Sequence, residues 1–269
     1  MAGRIRRHWK GLLAGAVVLA AVLIIGVPWV YIHLIEGEQP APLSLSDVAE
    51  AGTTGTSSRT TPPAGTGSAP GAGTSQATTA STSTDPAGSG ATADDGLEGT
   101  WTVGAGSQAG YRVQETLAGQ GTEAVGRTDQ VTGTITISDG EITAVDITVQ
   151  VAAIASDNSQ RDRQFQGRIM DAARHPTATF TLTEPIPLTE VPAVDAEIAL
   201  SATGELTLHG TTRPVTIPLS VLRTADSLAA NGSLEIAYAD YGINNPSVPG
   251  FVSVGEAGTV EFLVVATRS

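Results

Sequence analysis

Four arginines lie close together in a chain that is acidic overall, with a formal net charge of −13. They are Arg161, Arg163, Arg168 and Arg174, within the stretch QRDRQFQGRIMDAARHPTATF at residues 160–180. A guanidinium is a permanent cation that donates several hydrogen bonds to carboxylate, phosphate or amide oxygens. These arginines therefore form either a binding surface for an acidic partner or a solvated face of a helix.

Catalytic chemistry has few candidate residues. Cysteine is absent, and His175 and His209 are the two histidines after residue 98. Two isolated histidines supply neither a metal-ligand cluster nor a nucleophile–base–carboxylate set, and Asp240–Tyr241 is better explained by packing than by acid–base work. No glycine-rich phosphate loop occurs, and the acidic balance argues against nucleic-acid binding. We therefore expect no enzyme activity, no metal and no cofactor.

The arginine-rich stretch is predicted to begin with a short helix. Asp157 followed by Gln160 fits a capping box, which indicates a helix from Ser159 to about Ile169. Pro176 forces the residue before it into an extended conformation and so ends helical structure. Arg163 points away from the face shared by Arg161, Phe165, Arg168 and Ile169.

Strands are predicted for the rest of the region from residue 99 to 269. Apolar residues alternate with polar ones through eight or nine segments, for example from Val131 to Ile137, and Asp139–Gly140 is a hairpin-turn signal. One apolar face per strand indicates a sandwich or a closed barrel. A barrel of about eight strands is either filled by its own side chains or hollow enough for one small ligand.

Three motifs resemble the signatures of the YceI-like family. RDRQF followed by DAARHPTATF is similar to its central signature, GELTLHGTTRPVTIPL at residues 204–219 to its second, and DYGIN at residues 240–244 to its third. The resemblance covers residues 99–269 and implies an all-β fold with one short helix, an eight-stranded antiparallel lipocalin-like barrel. It also implies a polyisoprenoid or fatty-acyl amphiphile as ligand. Glu115 departs from the family, whose members often carry a histidine near that position.

If the fold is the one that the resemblance implies, the apolar face of the predicted strands is a candidate ligand-binding site. Arg161 is expected either to meet the head of the ligand or to pair with a carboxylate such as Asp171 or Glu115. A solid interior would instead indicate a structural or interaction module of the cell envelope. The residues expected to bind the ligand are Tyr111, Val113, Ile135, Ile147, Val149, Arg161, Phe165, Ile169, Phe180, Leu200, Leu206 and Tyr238.

The first 98 residues are predicted to tether this domain. Arg4, Arg6, Arg7 and Lys10 precede a run at residues 11–35 that contains no Asp, Glu, Lys or Arg. About 20 apolar residues suffice for a helix to cross a bilayer, and the basic cluster is expected to stay in the cytoplasm. Residues 1–35 are thus predicted to be a cytoplasmic tip and single-pass plasma-membrane anchor, with a cleaved signal peptide as the alternative. Residues 36–98, rich in Ser, Thr, Gly, Ala and Pro, are predicted to be a disordered linker.

Overall fold

The computed structural model describes residues 39–46, 48, 96–117, 119–188, 193–248, 250 and 252–269. The predicted cytoplasmic tip and transmembrane helix at residues 1–35 and most of the predicted linker at residues 36–98 lie outside the described residues. Within the described ranges, no helix combines the length and the apolar character that crossing a bilayer requires.

Antiparallel strands make up most of the described residues after residue 98. Their bounds are β1 Gly99–Val103, β2 Gln108–Leu117, β3 Gln120–Thr128, β4 Val131–Ser138, β5 Glu141–Gln150, β6 Ala155–Ser156, β7 Thr177–Leu182, β8 Ile186–Pro187, β9 Glu197–Leu208, β10 Thr211–Arg223, β11 Ser227–Ala237, β12 Val252–Val254 and β13 Ala257–Arg268. One α-helix, α1 (Ser159–Gln164), continues into a wider turn at Phe165–Ile169. Short helical turns occupy Val151–Ala153 and Tyr238–Tyr241.

The strands close into a barrel. Hydrogen-bonded neighbours around the barrel follow the order β4, β5, β7, β9, β10, β11 and β13. Strand β1 closes the barrel by pairing with both β13 and β4. Strand β2 continues β1 along β13 and pairs with β3, which leads into β4. Counting β1 with β2 and β3 with β4, eight long strands run up and down with no open edge in the main wall. The predicted eight-stranded antiparallel barrel with one short helix is confirmed.

Two tight hairpins follow directly from their sequences. Asp139 and Gly140 have φ of 57° and 75°, and His209 and Gly210 have φ of 49° and 73°. Both central residues of each turn are thus left-handed, which is the backbone that matches the twist of two flanking strands. The predicted turn at Asp139–Gly140 is confirmed.

A buried serine joins the two halves of the first long strand. Ser107 is 1% exposed. Its hydroxyl accepts a hydrogen bond from the Val265 amide at 2.9 Å and donates to the Val265 carbonyl at 3.2 Å. The chain can therefore bend between β1 and β2 without leaving the backbone of β13 unpaired.

Two side chains fix the start of helix α1, one by capping it and one by linking it to β6. The Asn158 side-chain oxygen accepts from the amides of Gln160 and Arg161 at 2.9 and 3.2 Å. Asp162 accepts from the amide and the hydroxyl of Ser156 at 2.8 and 2.6 Å. The predicted extent from Ser159 to Ile169 is confirmed, but the helix is capped by Asn158 and not by Asp157, because only Asn158 directs its oxygen at these amides.

The opposite end of the barrel is closed by apolar packing. Trp101, 4% exposed, packs with Leu97 and Ile137, and its indole nitrogen donates to the Leu97 carbonyl at 2.9 Å. The guanidinium of Arg268 lies 5.9 Å from the Trp101 ring centre. We call this the Trp101 end of the barrel, and the end that carries α1 the helix end.

Part of the predicted linker lies against the barrel. Residues 39–46 run along the outer wall, and Leu43 and Leu45 bury their side chains there. The prediction of an unstructured segment does not hold for this stretch, because its leucines have an apolar surface to cover. We call residues 39–46 the strap.

Candidate ligand-binding site

The barrel is hollow. Its interior contains a cavity of about 830 Å³, within the range of roughly 300–1,000 Å³ that is typical of small-molecule sites. Side chains of Val113, Val149, Leu206, Ile236 and Val260, on five different strands, form its wall. A solid barrel interior, which the sequence left open as an alternative, is therefore excluded.

The residues expected from the sequence converge on this cavity, with one exception. Those that line it are Tyr111, Val113, Ile135, Ile147, Val149, Arg161, Phe165, Ile169, Phe180, Leu206 and Tyr238. Leu200 does not line it. Leu200 shares the inner face of β9 with Leu206, but it packs against the cluster of Leu182, Ile186 and Ala202. Alternation gives the face of a strand but not which of its side chains reach the cavity.

Polar side chains line the cavity almost entirely at the helix end. They include Glu115, Asn158, Gln160, Arg161 and Gln164. Because Gln160 is exposed to solvent, the cavity reaches the surface beside α1. The cavity is thus apolar along its length and polar at the end where it opens.

An ion-pair cluster stands at this opening. The Arg161 guanidinium lies 3.4 Å from a Glu115 carboxylate oxygen and also pairs with Asp157. Burial by itself lowers the pKa of Arg161, but Glu115 and Asp157 outweigh it and hold that pKa above its usual value. Of the two partners expected from the sequence, Glu115 is confirmed. Asp171 is wrong, since it lies 3.8 Å from Arg174 on the exposed surface.

The other arginines of the stretch lie outside the cavity. Arg163 is exposed, as predicted, and contacts the Ser159 hydroxyl at 3.4 Å. Arg168 is exposed as well and donates to the Pro246 carbonyl at 3.4 Å. The shared helical face predicted for Arg168 and Arg161 does not form, because the turn widens from Phe165 onwards and rotates Arg168 outward.

Two stacked rings lie directly below the ion-pair cluster. The ring centres of Tyr111 and Phe165 are 4.7 Å apart at an angle of 25°. Gly126 makes room for Tyr111 on the neighbouring strand, because a Cβ there would lie 2.5 Å from the ring. Burial, opposed by the charge of Arg161, raises the pKa of Tyr111 to about 12.

This raised pKa predicts a loss of stability in alkali. The pKa of tyrosine in an unfolded chain is about 10, so the unfolded chain loses this proton first, and stability falls as the pH rises from about 10 to 12. Urea unfolding at several pH values between 9 and 12 should show a shallower decline for Tyr111→Phe than for the unmodified protein. Equal slopes for the two proteins would contradict the assignment.

The hydroxyl of a second tyrosine, Tyr238, is free to hydrogen-bond a ligand. The Tyr238 hydroxyl is buried, lines the cavity and has no hydrogen-bond partner among the described residues. Burial, together with the negative charge of Glu256, raises the pKa of Tyr238, so the hydroxyl keeps its proton. An unsatisfied buried hydroxyl costs about 1–3 kcal/mol, which a ligand oxygen near the helix end would recover.

The two histidines pack against each other outside the cavity lining. The His175 and His209 ring centres are 4.9 Å apart, edge to face, and the His209 Nδ1 lies 3.2 Å from the Tyr241 carbonyl oxygen. His175 also covers Gly210. The pair fixes the joint between the helix segment and β7 against the hairpin of β9 and β10. In the described part of the chain, no three His, Asp or Glu residues are placed to share a metal ion.

Sequence reasoning missed two groups of lining residues. Alternation in β13 marks Val260, Phe262 and Val264 as one face, and this signal was sufficient to find them. No comparable signal marks Asn158, Gln160 and Gln164, because polar residues on a short helix are normally solvated. Their place at the opening depends on how α1 lies across the barrel.

Comparison with known proteins agrees with this geometry. A model of the YceI-like domain family matches residues 101–266. A UPF0312 protein of Pseudomonas aeruginosa is 28% identical over 127 residues, 44% of this chain and 62% of that protein. A UPF0312 protein of Vibrio vulnificus is 32% identical over 95 residues, 34% of this chain and 47% of that protein. The chain therefore matches less than two thirds of the length of these relatives.

Among solved structures, a polyisoprenoid-binding domain from Saccharophagus degradans, implicated in plant cell wall breakdown, has a similar fold. The two superpose with a TM-score of 0.52 at 16% sequence identity, covering 64% of this chain and 99% of that domain. At this identity the likeness concerns the fold alone.

Proposed function

Since this chain belongs to the YceI-like domain family, we propose that its barrel binds a polyisoprenoid or another long amphiphile, with the tail inside the cavity and the head beside α1. The observation that carries this proposal is the distribution of polarity in the cavity, which is aliphatic along its length and polar at its opening. Burial of each methylene contributes about 0.8 kcal/mol. A smooth aliphatic wall therefore binds tightly without selecting one particular tail. The function is binding and not catalysis.

The head group is expected to be neutral and to carry oxygen. At the opening, the single positive charge of Arg161 faces the two negative charges of Glu115 and Asp157. The cluster thus has no spare positive charge to offset a phosphate. The Tyr238 hydroxyl can donate a hydrogen bond to an alcohol, amide or carbonyl oxygen. This favours a polyprenyl alcohol or a similar neutral amphiphile over its phosphate.

We further propose that residues 11–35 anchor the protein in the plasma membrane, with the N-terminus cytoplasmic and the barrel outside the cytoplasm. The proposal is supported by the basic residues before the apolar run and by the length of that run. A protein placed there has access to the amphiphiles of the outer membrane leaflet.

Lipid analysis of the purified protein tests the binding proposal. Organic extraction of residues 39–269 should release an amphiphile, and the emptied protein should bind a polyprenyl alcohol at least about tenfold more tightly than the corresponding polyprenyl phosphate. Tyr238→Phe should weaken binding of the alcohol by about fivefold to tenfold, as expected for the loss of one hydrogen bond. Absence of any co-purifying amphiphile, together with no uptake of either compound, would disprove the proposal.

A further inference from the structure

The strap packs against a complementary apolar patch on the outer wall of the barrel. Outward-facing Ala229, Leu263 and Val265 form an apolar patch in which Leu43 and Leu45 are buried. Outward positions of a barrel normally carry polar residues, because they face water. This patch is therefore suited to a permanent occupant.

A buried ion-pair cluster beside the patch is completed by the strap backbone. Glu261, 3% exposed, pairs with Arg112 at 3.4 Å and with Arg127 at 2.8 Å. These arginines use further N–H groups to donate to the Pro40 carbonyl at 2.8 Å and to the Ala41 carbonyl. Buried charges require such partners, so the barrel wall and the strap satisfy each other.

The direction of the strap is clear from its contacts. At its start, the Gln39 side-chain amide donates to Asp157, just before α1, at 3.0 Å. The Leu43 carbonyl accepts from Asn231 at 3.1 Å, about halfway along the wall. Leu45 packs in the cluster that contains Val265, towards the Trp101 end. The chain thus reaches the barrel at the helix end and runs towards the Trp101 end.

This direction leaves little chain between the predicted anchor and the cavity opening. Only a few residues separate position 35 from Gln39, and four residues of extended chain span at most about 14 Å. The low-complexity run follows the strap, so its length adds nothing to this distance while the strap is docked. With the strap released, all of residues 36–98 lie between the predicted anchor and β1.

Surface charge distinguishes the same two ends. Arg163 and Arg168 are exposed at the helix end and have no ion-pair partner among the described residues. The helix end also exposes Asp157, Asp240 and Glu256, whereas the turns at the Trp101 end expose Asp139, Asp195 and Asp226, with Arg268 on the neighbouring strand end. Each arginine near an anionic bilayer contributes about 1 kcal/mol of attraction, so Arg163 and Arg168 offset part of the repulsion by the acids of the helix end.

We propose that the strap holds the helix end of the barrel against the membrane surface, so that the cavity opens towards the anionic headgroups of the bilayer. An amphiphile then passes between bilayer and cavity with little of its tail exposed to water. This inference rests on the proposed lipid binding and membrane anchor. It adds the orientation of the barrel relative to the membrane.

Energy transfer from each barrel end to the membrane tests the orientation. The chain lacks cysteine, so Ala239→Cys at the helix end and Ala225→Cys at the Trp101 end, both exposed alanines, give matched single labelling sites. The full chain is placed in vesicles of phosphatidylcholine and phosphatidylglycerol that contain an acceptor-labelled headgroup lipid, and is labelled from outside. Transfer should be at least twofold higher from position 239 than from position 225.

Two insertions of the same Gly/Ser sequence test the role of the strap without changing the barrel. Twenty residues inserted after Gly37, before the strap, should bring the two transfer efficiencies together. The same insertion after Gly71, behind the strap, should leave the difference intact. Leu43→Asp with Leu45→Asp should act like the first insertion, with an unchanged circular dichroism spectrum.

Equal transfer from both positions in the protein without insertions, or a loss of the difference only with the second insertion, would overturn the inference. The lipid content of each sample is measured in parallel. A barrel that binds lipid without a preferred orientation contradicts this inference alone, and an oriented barrel without lipid contradicts only the proposed ligand.

Discussion

Two indole rings placed in the middle of the cavity, by Val149→Trp with Leu206→Trp, should reduce amphiphile binding at least a hundredfold. Both side chains line the cavity from strands β5 and β9, so the added rings occupy the path of the tail. Exclusion of four methylenes costs about 3 kcal/mol, which corresponds to more than a hundredfold in the dissociation constant. Titration with a fluorescent polyprenyl alcohol and quantification of co-purified lipid measure the effect.

The matched control places the same rings on the outside. Gln150→Trp and Glu205→Trp lie one residue away on the same two strands, at exposed positions, and should leave binding within about twofold of the unmodified protein. Thermal unfolding of both double variants checks that the barrel persists, since a hollow interior can accept added volume with less strain than a packed core. Unchanged binding by the filled barrel would show that the ligand lies elsewhere.

Removal of Arg161 should destabilise the protein more than any other single change at the opening. Arg161→Met leaves Glu115 and Asp157 facing each other without a cation. Breaking a fully buried pair costs about 3–5 kcal/mol, and because 16% of the Arg161 side chain is exposed, we expect about 2–3 kcal/mol. Glu115→Met should cost about 1 kcal/mol, since Arg161 keeps Asp157 as a partner.

The double variant decides whether the two residues act as a pair. Urea unfolding of Arg161→Met with Glu115→Met should show a loss at least about 1 kcal/mol smaller than the sum of the single losses, because the unpaired Glu115 charge is gone. Strictly additive losses would contradict the pairing. Glu115→Met should also raise the affinity for a polyprenyl phosphate relative to the alcohol, because it removes one negative charge beside the head group.

The sequence alone determined which residues face the inside of the barrel wall and where its strands end. Alternation of apolar and polar residues places Val113, Ile147 and Leu206 on inner faces, and turn residues such as Asp139–Gly140 set where the strands end. These features are local, because a strand has a period of two and a tight turn needs particular residues. The three family-like motifs in order then indicated how the strands are arranged.

Only the tertiary structure decided whether the barrel contains a cavity and what packs against its outer wall. Whether the interior is hollow depends on the volume left after side chains from all eight long strands have packed. That packing also decides which residues line the cavity: Gln160 and Gln164 do, whereas Leu200 does not. Likewise, Leu43 and Leu45 lie in a run of linker composition, and only the apolar patch on β11 and β13, nearly 200 residues away in the chain, gives them a place. Composition describes what a segment can bury, whereas a complementary surface elsewhere in the fold decides whether it does so.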